Sequence, residues 1–246
     1  MGLYIEKDEA VQIGISVIAL SLAFAIAFAG LDGMIGSPRE FVVFIAPILV
    51  TLGSGFILHE MAHKLVAMYY GAQARFVMWT QGLVVMFISS LAGVLIAAPG
   101  AVYIYSNRIS TRENGIISIA GAVLNLSVAF FFIALEFIMP IKQFYGFLLP
   151  LGAGAQGYGI LYGILSVWRF GAATNIMLAL FNMIPIFPLD GSKVFWWSKP
   201  VWGLFVLVLL AAGSVVISPG IVIGWLFMFA LAFALSMAVR LLVRPG

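Results

Sequence analysis

The sequence holds two histidines in 246 residues, and they stand four apart in Phe56-Ile57-Leu58-His59-Glu60-Met61-Ala62-His63-Lys64, with an acid directly after the first. On a helix, residues four apart lie about 40° apart around the axis and one turn apart along it, so both imidazoles can reach one zinc ion. Glu60, about 100° round from His59, has its carboxylate beside such an ion rather than on it. That is where a general base stands to take a proton from a metal-activated water. A five-residue pattern also arises by chance, and a histidine in an apolar segment is commonly a hydrogen-bonded packing residue. Against that reading stands the cost of an acid at mid-membrane, on the order of 2.5–3.5 kcal/mol by insertion scales, which something must offset.

A second group lies about 120 residues further on, in Asn182-Met183-Ile184-Pro185-Ile186-Phe187-Pro188-Leu189-Asp190-Gly191. Pro185 and Pro188 each remove an amide donor, so a helix arriving here must unwind. Unwound backbone at membrane depth is tolerated only beside protein or a polar cavity. Asp190 is therefore a candidate third zinc ligand, and Asn182 a candidate donor to a substrate carbonyl or oxyanion. An ordinary helix stop followed by an Asp-Gly turn is the alternative. Asn125, in the middle of another apolar run, is either hydrogen-bonding glue between helices or a group at the site.

These residues need elements to hold them, and composition decides which kind. The chain is 64% hydrophobic and 9% charged, with a mean hydropathy of +1.17. It reads as an all-α polytopic membrane protein of about six transmembrane helices. Absence of cysteine excludes disulfides, Cys-ligated zinc and thiol nucleophiles. A net charge of +3 with scattered basic residues argues against nucleic acid as a partner. Glu6, Lys7, Asp8 and Glu9 open the chain without the basic start of a signal peptide, so the first span is expected to be retained.

The expected spans are 11–30, 41–70, 115–139, 160–183, 201–217 and 221–239. In the second, Pro47, Gly53 and Gly55 predict a bend or a close neighbour. His59 lies about 27 Å beyond Phe41 and about 16 Å before Tyr70, inside the hydrocarbon. Residues 76–105 are long and apolar enough for a span. They are interrupted by Gln81-Gly82, Gly93 and Pro99-Gly100, and rich in Val, Ile, Phe and Tyr, which suits short strands or a re-entrant segment, read here as a membrane-associated β hairpin or small sheet. If Asp190 joins the histidines, the helices carrying the two ligand sets must run the same way. That requires an odd number of spans between them, and so a non-crossing 76–105. Residues 142–158, with Gly152-Ala153-Gly154, read as a loop or a partly embedded segment. This arrangement puts Lys7, Lys64, Arg75, Arg108, Arg112, Lys193, Lys199, Arg240 and Arg244 on one side, and Arg39, Lys142 and Arg169 on the other. The excess marks the first side, with both termini, as cytoplasmic.

His59-Glu60-Met61-Ala62-His63 followed by Asn182-x-x-Pro185-x-x-Pro188-Leu189-Asp190-Gly191 resembles the site-2 protease family of intramembrane zinc metalloproteases. The resemblance covers about residues 41–191, within a single transmembrane protease domain over 1–246; spans 11–30 and 201–239 are accessory. It implies one zinc per chain on His59, His63 and Asp190, Glu60 as the catalytic glutamate, and Asn182 as a substrate or oxyanion group. Gly121-x-x-x-Asn125 is similar to the family's middle-span pattern, with Ala122 where proline is common, and adds Asn125 to the substrate side. The implied activity is endoproteolysis of transmembrane protein substrates within the lipid bilayer, with residues 76–105 offering an edge to an unwound substrate. A multi-span transporter or metal-binding permease is the rival from another class, since buried His, Glu and Asp also mark ion pathways. A zinc peptidase acting on lipidated proteins is a nearer one; its third ligand would be a Glu on a later helix, and no acid follows Asp190.

Overall fold

The computed structural model describes residues 4–96, 99–106, 108–138 and 166–242. Helix α1 (Lys7–Gly36) turns at Gly30, whose φ of 67° suits glycine alone. Helix α2 (Pro38–Ile48), a π-helical turn (Leu49–Gly53) and helix α3 (Ser54–Tyr69) follow one another without a break. Pro47 brings no amide donor, and the wider turn after it leaves the Thr51 carbonyl available to another helix. Helix α3 stops at Gly71, with the Ala72 N–H on Ala67 O and the Gly71 N–H on Met68 O, the bonding of a left-handed glycine cap.

The expected sheet is present, but its strands are not joined as a hairpin. Strand β1 (Gln73–Met78) is followed by helix α4 (Thr80–Leu91) and strand β2 (Gly100–Tyr105). The strands pair antiparallel, with Gln73 opposite Tyr105 and Met78 opposite Gly100. Helix α4 buries Met86 and Ser90 and exposes Val84, Val85, Ile88 and Leu91. Its β-formers thus sit at helical spacing, and Gly93 closes it with the same cap. At 12 residues it spans about 18 Å, short of a hydrocarbon core about 30 Å thick. Pairing of the two strands returns the chain to where it set out, as a non-crossing segment requires.

The outer edge of β1 is covered by α1. The Phe76 N–H donates to Glu9 Oε1 and the Met78 N–H to Gln12 Oε1, both at 2.9 Å. Glu9 also takes Lys64 Nζ on its two oxygens, at 2.7 and 2.6 Å, and the two residues are 1% and 3% exposed. One buried ion pair thus ties α1, α3 and β1. Lys64→Met strands the Glu9 charge and is expected to cost about 3–5 kcal/mol. Adding Glu9→Gln, which still accepts from Phe76, is expected to restore most of it; thermal unfolding in detergent measures both.

Helix α5 (Thr111–Ile138), helix α6 (Val167–Asn182), helix α7 (Asp190–Trp197), helix α8 (Lys199–Val216) and helix α9 (Gly220–Leu242) complete the described chain. Among the described residues four helices are long and apolar enough to cross a membrane: Lys7–Gly36, Phe44–Tyr69, Thr111–Ile138 and Lys199–Val216. The expected count of six is not reached among the described residues. Helix α9 has 23 residues, and α6 has 16. The start of the expected 160–183 span and the 142–158 segment lie outside the described residues. One core is built from α1 to α4 with Phe170 and Ala173 of α6, and a second from α5 to α9. Helices α3, α5, α6 and α7 meet between them.

Candidate active site

Helix α3 carries His59 and His63 one turn apart, and the chain leaving α6 returns Asp190 to them. After Asn182 the backbone is unwound as far as Leu189, as the two prolines predict. Trp202 Nε1 donates to the freed Met183 carbonyl at 2.8 Å. Asp190 is then the first residue of α7 rather than part of a turn. Its Oδ2 lies 3.3 Å from His59 Nε2 and 3.0 Å from His63 Nε2, and the two Nε2 atoms are 3.0 Å apart. All three residues are buried.

The donor set fits a metal ion. Metal–ligand bonds of about 2.0–2.2 Å in a tetrahedral centre put donor atoms roughly 3.3–3.6 Å apart, close to the separations here. Each imidazole has its other nitrogen tied back: His59 Nδ1 to Asn125 Oδ1 at 2.5 Å, His63 Nδ1 to the Ile117 carbonyl at 2.7 Å. With Nδ1–H donating outward, both Nε2 lone pairs face inward. Asp190 gives its remaining oxygen, Oδ1, to Lys193 Nζ at 3.0 Å. Helix α5 passes so close behind His59 that a Cβ on Gly121 would stand 2.6 Å from the ring, which explains a glycine there.

Glu60 is buried beside the cluster, and its Oε2 accepts the Val102 N–H at 2.9 Å. Val102 is opposite Phe76, whose own N–H points away from β2 toward Glu9. The two amides of this pair therefore face opposite outer edges, and the outer edge of β2 runs past Glu60.

The other expected residues are placed differently. Asn182 ends α6, half-buried, with its amide nitrogen on Leu178 O of its own helix at 3.0 Å; among the described residues no hydrogen bond joins it to the cluster. Asn125, expected on the substrate side, is committed to the protein instead. Besides accepting from His59 through Oδ1, it donates through Nδ2 to Gly55 O at 3.1 Å and to Asn175 Oδ1 at 2.9 Å. Asn175 is a residue the sequence reading passes over. Its signal is an amide within an apolar helix, seven residues before Asn182 and so on about the same face.

Residues 47–197 match the model of peptidase family M50. That stretch runs from Pro47 to the last residue of α7 and encloses every residue of the cluster. A protein of Methanocaldococcus jannaschii described as "Putative zinc metalloprotease" is 36% identical over 205 residues, covering 83% of this chain and 92% of that protein. No solved structure matches the chain at a significant level.

Proposed function

This chain belongs to peptidase family M50 and is a zinc metalloprotease; from that premise we propose that it cuts the membrane-spanning segments of other proteins within the bilayer. With membership of a peptidase family, the permease reading loses its ground. One observation carries the location: the buried triangle of His59, His63 and Asp190 is built partly on Phe44–Tyr69, a helix long and apolar enough to cross a membrane. An active site at that depth meets peptide bonds that are themselves in the membrane.

His59, His63 and Asp190 would hold the metal, and Lys193 keeps the Asp190 carboxylate turned so that Oδ2 faces the histidines. A zinc ion there supplies Lewis acidity and a nucleophile from water near neutral pH. Glu60 takes a proton from the attacking water and returns it to the leaving amine. Asn182 would turn its side-chain amide from Leu178 toward the developing oxyanion. A helical peptide bond is shielded by its own hydrogen bonds, so the substrate has to be extended before attack. The outer edge of β2, with Glu60 against it, supports pairing with such an extended strand. The basic residue count supports an orientation with both termini on the cytoplasmic side.

Access through lipid is supported by a cavity of about 710 Å³, lined by Leu20, Phe24 and Phe28 of α1, Phe181 of α6, and Ile221 and Trp225 of α9. Its walls are shared by the first helix, α6 and the turn that joins the final pair. Reconstitution with zinc and single-span substrates, with the cut mapped by mass spectrometry, tests the reading. A cut inside the apolar segment supports it, and cuts confined to flanking soluble sequence overturn it. The route has its own check in a chain free of cysteine. Phe24→Cys with Ile221→Cys, joined by a reducible crosslinker, is expected to suppress cleavage of a membrane-spanning substrate and to recover on reduction. Undiminished cleavage by fully crosslinked protein would place the entrance elsewhere.

A further inference from the structure

The two ends of an asparagine amide are alike in shape and opposite in hydrogen bonding. Which end Asn125 shows to His59 therefore decides what His59 can do. With Oδ1 toward Nδ1, the imidazole carries its proton on Nδ1 and keeps a lone pair on Nε2, facing Asp190 and His63. With the amide reversed, Nδ1 would have to accept, Nε2 would carry the proton, and His59 could not bind a metal through it. Something must hold Asn125 in the first sense.

Beside the Gly55 carbonyl, which accepts from the Asn125 NH₂, Asn175 supplies that direction. Its Nδ2 donates to two backbone carbonyls, Gly171 O at 2.8 Å and Thr51 O at 3.3 Å. Carbonyls only accept, so the NH₂ end of Asn175 must face them and its Oδ1 must face Asn125, 2.9 Å away. Asn125 is then required to present NH₂ to Asn175 and to Gly55 O, which leaves its Oδ1 for His59. Asn125 and Asn175 are both 0% exposed, so no water competes for these groups. The arrangement is built in on both sides. The π-helical turn provides the Thr51 carbonyl, and a Cβ on Gly55 would collide with the Asn175 amide.

We propose that Asn175 is a positioning residue of the metal site, which acts through Asn125 to fix the tautomer of His59. The inference rests on the metallopeptidase reading, and concerns how one of its ligands is prepared. The variants are Asn175→Leu, near in size but without an acceptor for Asn125, and Asn175→Asp, which keeps that acceptor and, protonated on its other oxygen, can still donate to a carbonyl. The readouts are zinc affinity by competition with a chromogenic chelator, and ¹⁵N spectra of histidine-labelled protein, which contain only two imidazoles. Asn175→Leu is expected to bind zinc about 10–100-fold more weakly, as for lost outer partners of metal ligands, and to lose the hydrogen-bonded Nδ1–H signal of His59. Asn175→Asp is expected to recover most of both. A folded Asn175→Leu protein with parental zinc affinity and an unchanged His59 spectrum would reduce Asn175 to a packing residue. If Asn175→Leu does not fold, the parental metal-free spectrum decides: a proton on Nδ1 of His59 sustains the relay, and one on Nε2 overturns it. A parent that binds no zinc would sink the reading of the site, while the same spectrum would still judge the relay.

Discussion

Glu60→Gln is expected to keep the metal and lose the reaction. Glutamine matches the carboxylate in shape, and its carbonyl oxygen can still accept the Val102 N–H, so the contact between α3 and β2 survives. Three ligands remain, because Glu60 is not among the atoms that converge on one point. What disappears is the proton acceptor, worth about 10²–10⁴ in rate in enzymes of known mechanism. Metal analysis of the purified variant beside cleavage rates on one substrate separates the two effects. Zinc content equal to the parent, with cleavage slowed by at least the lower end of that range, is the expected pair. Parental cleavage would end the assignment of Glu60 as base, and loss of zinc would make Glu60 a ligand.

Asp190→Ala should do the reverse, losing the metal first and activity with it. The substitution removes the one carboxylate among the ligands and leaves the Lys193 ammonium facing two imidazoles across the space Oδ1 held. Zinc affinity is expected to fall by more than the roughly 10–100-fold that follows loss of a mere outer partner. Residual activity should rise with added zinc if the fold is intact. Full zinc occupancy in this variant at low free metal would put the third ligand elsewhere. Asp190→Asn, which keeps the shape and loses the charge, is expected to fall between the two.

How much of this the sequence discloses depends on whether the signal is local. The spacing of His59, Glu60 and His63 is set within one helical turn, so it can be read without any tertiary knowledge. Asp190 is legible because Pro185 and Pro188 force an interruption that only a polar or protein-lined place tolerates. The 76–105 segment shows the opposite case. Its Val, Ile and Phe content suits strands, yet Thr80–Leu91 is helical, with Gly82, Met86 and Ser90 buried one turn apart on a single face. Gly93 was the readable cue to a helix end. Asn125 and Asn175 could be noticed as polar groups in apolar helices. Their directed bonds come from carbonyls of residues 51, 55 and 171, whose proximity only the packed helices create.

The attachment of α1 has a mechanical consequence. Its first turns are pinned to α3 and the sheet region by Glu9, Gln12 and Ser16, the last donating to Pro99 O at 3.1 Å. The cavity wall begins only at Leu20 and continues through Phe28. Beyond those polar ties the helix is held by apolar packing, with Leu20, Ala23, Ala25, Ile26 and Ala29 buried and Phe24 against Phe170, so a movement of this half swings about the polar end rather than sliding. Phe24 lies about 22 Å along the axis from Glu9, so a rotation of about 10° carries it roughly 4 Å. Widening of the cavity by α1 would thus be the motion of a lever whose fulcrum is the buried Glu9–Lys64 pair, with Lys64 next to the ligand His63. The widest displacement falls far from the metal, and the ligands sit beside the part that moves least.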